Sequence, residues 1–105
     1  MSTHTIQTAA ALVVEEELQL TLVELCQACN VPQDYVVAWV YEGVLAPSGE
    51  APEDWRFSGP SLRRAQQARW LARDMEVNPQ GVSLVLDLLD EIAALQLRLQ
   101  RAGLR

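Results

Sequence analysis

The chain has 105 residues, of which 50% are hydrophobic, and a formal net charge of −6. This length predicts one small domain with a single modest core and excludes two separately folded domains. There is no stretch of eighteen uncharged apolar residues and no basic segment at the N-terminus, so we expect a soluble cytoplasmic protein.

The charges are unevenly distributed along the chain. Residues 1–54 contain nine acids and no lysine or arginine, whereas all eight basic residues are arginines that lie from Arg56 onward, among five acids. A surface formed by the first half would repel polyanions and attract basic partners. Any partner of the first half is therefore expected to be basic or neutral.

The first predicted elements lie near the N-terminus. Residues 1–17 are expected to form a flexible extension, and the alternation over residues 18–20 indicates a short strand. Thr21 and Glu24 have the spacing of a capping box at the start of a first helix, from about Leu22 to Ala28. Its inward residues are predicted at three- and four-residue steps: Leu22, Leu25, Cys26 and Cys29.

A second helix is predicted after a turn at residues 29–31, with Pro32 in its first helical turn. Val36, Trp39 and Val40 form its apolar stripe, and Gly43 ends it in the left-handed conformation. Residues 48–54 have the composition of a turn, and residues 55–57 indicate a brief returning strand. Two helices followed by this small β wing predict a winged helix-turn-helix domain over residues 18–76.

The Cys26 and Cys29 pair is interpreted as buried, reduced thiols, because both cysteines fall within an apolar helical pattern. A zinc site needs four ligands, and His4 is the only histidine. The alternative is a redox enzyme with an exposed Cys26 thiol of lowered pKa. Since no catalytic triad, metal cluster or phosphate-binding glycine loop is evident, we expect no enzymatic activity, no cofactor and no metal.

A third helix is predicted to begin at residues 58–60. Its inward residues are expected to be Leu62, Ala65, Ala68, Ala72 and Met75. Its arginines lie on other faces: Arg63, Arg64, Arg69 and Arg73.

A fourth helix follows within residues 77–105, with Asn78 as N-cap and Pro79 in the first turn. Residues at the a and d positions of a heptad repeat form an apolar seam: Val85, Leu88, Ile92, Leu95 and Leu99. Further apolar residues lie beside the seam: Leu84, Leu86, Leu89 and Leu97. A helix of this length extends beyond a small core, which predicts a homodimer. The alternative is a helix folded back on its own domain.

Several of these residues resemble the MerR superfamily of winged helix-turn-helix proteins. Val31, the exit Gly-Val-Leu-Ala-Pro at residues 43–47 and Trp55-Arg56 match that family's pattern. The DNA-facing positions depart from it, since Val37 replaces an arginine, and Ala38 and Trp39 replace two tyrosines. DNA binding depends on cations that neutralise phosphates, so a DNA-binding regulator of degenerate MerR type is kept only as an alternative.

A second resemblance covers about residues 18–100. The segment LQLTLVELCQACNVPQDYVVAWVYEGVLAP, then Trp55-Arg56-Phe57 and LVLDLLDEI at residues 84–92, is similar to the chaperone-modulator family CbpM. This resemblance implies an inhibitor that binds the J-domain of a DnaJ-like co-chaperone of the CbpA type and blocks its stimulation of DnaK. The charge distribution agrees with it, because an acidic surface can attract a basic helix of the J-domain.

The acids of the first half are the candidate partner contacts: Asp34, Glu42, Glu50, Glu53 and Asp54. Trp70 is expected to be an exposed aromatic contact, whereas Trp39 and Trp55 are predicted to lie in the core. For any single acid, a solvated surface position is the alternative interpretation. Asp87, Asp90 and Glu91 could form another acidic patch or pair with arginines, including those of the third helix.

Overall fold

The computed structural model describes residues 18–103, which form four α-helices and one short 3-10 helix. The elements are α1 (Leu22–Cys29), α2 (Gln33–Tyr41), the 3-10 helix (Pro52–Asp54), α3 (Gly59–Asp74) and α4 (Pro79–Arg101). The predicted N-terminal extension at residues 1–17 lies outside the described residues. The mostly helical architecture predicted from the sequence is confirmed.

Local side-chain caps begin three of the helices. Thr21 accepts a hydrogen bond from the Glu24 backbone N–H, and the Thr21 N–H donates to the Glu24 carboxylate at 2.8 Å, which confirms the capping box. Ser58 caps α3, and Asn78 caps α4 by accepting from the Gly81 N–H at 2.7 Å. These contacts fix the first turn of each helix.

The turn between α1 and α2 differs slightly from the prediction. Cys29 is still helical, and Asn30 ends α1 in the left-handed region with φ 57°. Pro32 is the N-cap of α2 and lies before its first turn. Gly43 follows α2 with φ 79°, so its predicted left-handed conformation is confirmed.

The predicted β wing is reduced to two isolated antiparallel bridges, so the predicted strands at residues 18–20 and 55–57 do not form. One bridge joins Leu20 to Phe57 and the other joins Ser48 to Arg56. The ladder cannot extend past Leu20 because Thr21 already caps α1. Near Ser48, Pro47 has no backbone N–H to donate, and the chain then enters a turn and the 3-10 helix.

The core lies between all four α-helices and is closed by the wing. α1 packs on α2 and α3, and α4 packs on the same two helices. Its largest fully buried side chains are Trp39, Phe57, Leu25, Leu86, Val36 and Val82. Trp55 is also buried and contacts Phe57 edge to face, with ring centroids 6.1 Å apart. The core positions predicted for Trp39 and Trp55 are therefore confirmed.

Two predictions about the later helices are wrong. Met75 was expected to point inward but is 58% exposed, because α3 ends at Asp74 and the chain reverses at Glu76, where φ is 53°. Leu86 was assigned to surface beside the seam but packs in the core together with Val82. Val82 and Leu86 are one turn apart on α4 and form the face that meets the domain.

Beyond Leu86, α4 projects away from the domain. Every residue from 87 to 103 is exposed, so the alternative of a helix folded back along its length on its own domain is wrong. The 23 residues of α4 make a helix about 35 Å long. The projecting part leaves most of the seam without a partner among residues 18–103.

Candidate partner-binding surface

The wing presents three acids, Glu50, Glu53 and Asp54, which we call the wing acids. All three are exposed. The backbone at the base of the wing holds them there, since Ser48 and Arg56 exchange two N–H to carbonyl hydrogen bonds of 3.1 and 3.0 Å. Glu53 also lines a shallow cleft with Gln33 and the start of α1.

A glycine fixes the tight turn of the wing. Gly49 has φ 98°, and a Cβ atom at this position would lie 2.5 Å from the Asp54 carbonyl oxygen. Only glycine combines this backbone conformation with so close an approach. The turn therefore brings Asp54, at the end of the 3-10 helix, against Gly49.

Asp34 and Glu42 lie at opposite ends of α2. Asp34 is exposed in the first turn and Glu42 is the half-buried C-cap. The positions where the MerR superfamily carries DNA-facing groups are structural here, because Val37 is half-buried against the core and Trp39 is 1% exposed. No lysine or arginine occurs on this helix. Its outer face thus offers no cation to a phosphate backbone.

Three arginines of α3, Arg64, Arg69 and Arg73, lie in different surroundings. Arg64 donates from Nε to the Val44 carbonyl oxygen at 2.7 Å and pairs with Asp87 and Asp90 of α4. The Arg69 Nε atom is buried, and Arg73 lines a cleft near the α1–α2 turn. The predicted pairing of the α4 acids with an arginine of the third helix is therefore observed for Asp87 and Asp90.

Trp70 lies on the outer face of α3 and is 52% exposed, as expected from the sequence. It lines a shallow surface groove with Arg63 and Gln67. Asp34 and Glu53 line two other clefts. The residues predicted to contact a partner therefore lie on several parts of the surface and do not form one site.

Most of the predicted seam on α4 is accessible. Leu88, Ile92, Leu95 and Leu99 are 53%, 50%, 50% and 40% exposed, respectively. Val85 differs because it is half-buried and packs against the domain core. Leu84, Leu89 and Leu97 extend this exposed apolar surface. A row of leucine and isoleucine at heptad spacing is typical of helix pairing.

The cysteine pair is buried, as the first interpretation predicted. Cys26 is 7% and Cys29 is 3% exposed, and both thiols are free. Burial is the main cause that raises the pKa of each thiol, and the Asp34 carboxylate raises the pKa of Cys26 further. The redox alternative required an exposed Cys26 with a lowered pKa, and both requirements are contradicted.

Residues 18–103 contain neither a cluster of metal-ligating side chains nor a membrane-spanning helix. In this range no three His, Cys, Asp or Glu side chains come close enough together to hold a metal ion. None of the helices in the same range has the length and apolar character needed to cross a membrane.

Comparison with known proteins places this geometry in a family. Residues 20–102 match the model of the MerR HTH family regulatory proteins. A chaperone modulatory protein CbpM of Coxiella burnetii is 33% identical over 94 residues, which cover 90% of this chain and 89% of the relative. CbpM proteins of Pseudomonas putida and Pseudomonas entomophila are 38% and 35% identical over 84% and 75% of this chain, respectively, and over 85% and 78% of the relatives.

These matches agree with the helical core, the short wing and the departures from the MerR pattern on α2 described above. The chain belongs to the CbpM family of chaperone modulatory proteins, which has a MerR-like helix-turn-helix. Both resemblances drawn from the sequence are thereby confirmed.

Proposed function

We propose that this protein is a cytoplasmic chaperone modulator that binds the J-domain of a CbpA or DnaJ-like co-chaperone and inhibits its stimulation of DnaK. The observation that carries the proposal is the chemistry of the helix-turn-helix surface. The relatives of this chain are named as chaperone modulators, and here α2 and the wing present acids at Asp34, Glu42 and the wing acids. Over residues 18–54 no lysine or arginine accompanies them.

The mechanism follows from electrostatic complementarity. A basic helix of the J-domain is attracted by the negative field of this surface, which raises the association rate. Once bound, the modulator covers that helix, so DnaK cannot reach it. The same field repels DNA, because the surface offers carboxylates where a DNA-binding protein has phosphate-binding cations.

We further propose that the protein acts as a homodimer joined through the seam. Leu88, Ile92 and Leu95 are about half exposed in the single chain. Pairing two such helices would remove these side chains from water, which is the main stabilising term in coiled coils. A dimer would present two acidic surfaces to co-chaperones.

The proposal is tested with purified J-domain, DnaK and duplex DNA. We expect capture of the J-domain that weakens with increasing salt, loss of J-domain-stimulated ATP hydrolysis by DnaK, and no retention on duplex DNA. Tight DNA binding without J-domain capture would instead support the alternative of a DNA-binding regulator.

The wing acids are tested by charge reversal. The triple variant Glu50→Lys, Glu53→Lys, Asp54→Lys should weaken J-domain binding while its circular dichroism spectrum and melting temperature stay close to those of the wild type. A matched pair compares Glu53→Lys with Glu91→Lys, because both reverse one exposed acid and Glu91 lies on the projecting helix. If Glu53→Lys and Glu91→Lys change J-domain affinity equally, the wing is not part of the binding surface.

A further inference from the structure

A cleft lies where α2 meets the loop between α3 and α4. Its volume is about 430 Å³, within the range of sites that accept small ligands or side chains. Ala38 and Val77 contribute apolar surface, and Asp34, Tyr35 and Glu76 also line it. The cleft therefore combines an apolar floor with two carboxylates.

The aromatic part of the cleft is held by a ring contact. Tyr35 and Trp39 lie edge to face, with centroids 6.1 Å apart and an interplanar angle of 86°. Trp39 is fixed in the core, whereas Tyr35 is 38% exposed and so remains accessible. An accessible tyrosine ring anchored in this way can contact a cation or an aliphatic chain.

The two carboxylates come from distant parts of the sequence. Asp34 is in the first turn of α2, and Glu76 is in the loop after α3. Glu76 has φ 53°, a conformation that a non-glycine residue adopts at an energetic cost. The loop holds it there because the next residue, Val77, donates its N–H to the Leu71 carbonyl oxygen at 3.0 Å.

The charge of the cleft is uncompensated. Within residues 18–103, neither Asp34 nor Glu76 forms an ion pair, and no arginine lines the cleft. An anion would be repelled by both carboxylates. A purely apolar ligand would displace water from the carboxylates without replacing the hydrogen bonds that this water makes. A ligand with an apolar stem and a positive tip satisfies both parts of the cleft.

Lysine and arginine side chains have this composition, since an aliphatic stem ends in a charged group. We propose that the cleft receives one lysine or arginine side chain from the partner. The stem packs on Ala38 and Val77 beside the Tyr35 ring, and the charged group lies between the Asp34 and Glu76 carboxylates. The identity of the partner as a J-domain rests on the proposed function; the chemistry of the cleft does not.

The first experiment measures J-domain affinity by isothermal titration calorimetry. Asp34→Asn and Glu76→Gln remove one charge each with little change of shape. Loss of a charged contact at an interface should weaken binding about tenfold in each variant. Glu91→Gln is the matched control, because it removes an exposed acid on the projecting part of α4, and it should bind like the wild type.

A third variant separates the effect of the lost charge on binding from any effect of the substitution on stability. Glu76→Gly removes the carboxylate and is also suited to the positive φ of this position. It should therefore unfold at the same or a higher urea concentration than Glu76→Gln while binding equally weakly. If Glu76→Gln and Asp34→Asn bind as tightly as the control, the cleft is not the contact.

The second experiment does not depend on the J-domain. Butylguanidinium, which carries the charged group of arginine on an apolar chain, is titrated into ¹⁵N-labelled protein at millimolar concentration. We expect amide shifts concentrated at Tyr35, Ala38, Ala72 and Val77, absent in Asp34→Asn/Glu76→Gln and absent when butyrate replaces butylguanidinium.

The two experiments distinguish the two proposals. If wild-type protein captures no J-domain but butylguanidinium shifts the cleft amides, the proposed function fails and the cleft is upheld. If J-domain binds equally to all variants and butylguanidinium shifts are scattered over the surface, the cleft is overturned and the proposed function stands.

Discussion

Arg64 of α3 lies 3.0 Å from the Asp90 carboxylate of α4, and the same guanidinium reaches Asp87 at 3.5 Å. Its Nε atom donates to the carbonyl oxygen of Val44, a residue that is 2% exposed. One side chain thus connects the exit of α2, the third helix and the base of the projecting helix.

The three contacts of Arg64 are expected to differ in strength. Arg64→Ala leaves the Val44 carbonyl without its side-chain donor, which should lower the free energy of unfolding by about 1–3 kcal/mol. Asp90→Asn should lower it by less than about 1 kcal/mol, because the Asp90 side chain is 66% exposed. Urea unfolding of both variants and of the double variant measures this difference. Equal losses would mean that the ion pair, rather than the buried carbonyl, dominates.

Trp39 and Trp70 should respond very differently to truncation. Trp39→Ala opens a cavity in the core and should destabilise the fold by about 3–5 kcal/mol. Trp70→Ala should change stability by less than about 0.5 kcal/mol, since the ring lies on the outer face of α3. Urea unfolding followed by circular dichroism tests both. A large loss for Trp70→Ala would show that its ring packs in a way that its exposure does not suggest.

The seam predicts how the oligomeric state responds to charge. Leu95→Arg should convert the proposed dimer to a species of 11.7 kDa, because a charge at a d position would be buried between paired helices. Ala94→Arg, which places the same charge off the seam, should remain dimeric. Sedimentation equilibrium measures both masses. A wild-type protein of monomeric mass at micromolar concentration would contradict the dimer.

The buried thiols predict slow alkylation and a loss of stability at high pH. Burial raises the folded-state pKa of Cys26 and Cys29. Stability from the protonated thiols is therefore complete below the unfolded-state pKa, about 8.5, and is lost as pH rises through the folded value. The melting temperature should fall more between pH 7 and 10 in the wild type than in Cys26→Ala/Cys29→Ala.

Alkylation by iodoacetamide gives an independent measure of the thiols. At pH 8 the native protein should react much more slowly than the urea-unfolded protein, because the thiolate is the reactive form. Native thiols that react as fast as unfolded ones would contradict the buried arrangement.

Features set by local chemistry were predictable from the sequence. The capping box at Thr21 and Glu24, the Asn78 cap and the left-handed Gly43 each depend on residues within one turn. The inward positions of Leu22 and Leu25 on α1, and of Val36 and Trp39 on α2, also follow from the helical period. These elements appear in the structure at or within one residue of the predicted positions.

Features that depend on distant parts of the chain were not predictable. Asp34 and Glu76 line one cleft although they are 42 positions apart in the chain, and no sequence motif marks Glu76. The three contacts of a single arginine, Arg64, likewise arise only from helix packing. The strands of the wing were over-predicted because a propensity for extended structure does not reveal where pairing stops.

The two backbone bridges of the wing have a consequence for how this family can change. Leu20 pairs with Phe57, and Ser48 with Arg56, through main-chain atoms. The outline of the loop is thus largely independent of the side chains at positions 50, 53 and 54. Substitutions there can alter the electrostatic character of the tip while the scaffold remains intact. During evolution, point mutations at these three positions could therefore change which ligand the wing binds while the backbone fold stays the same.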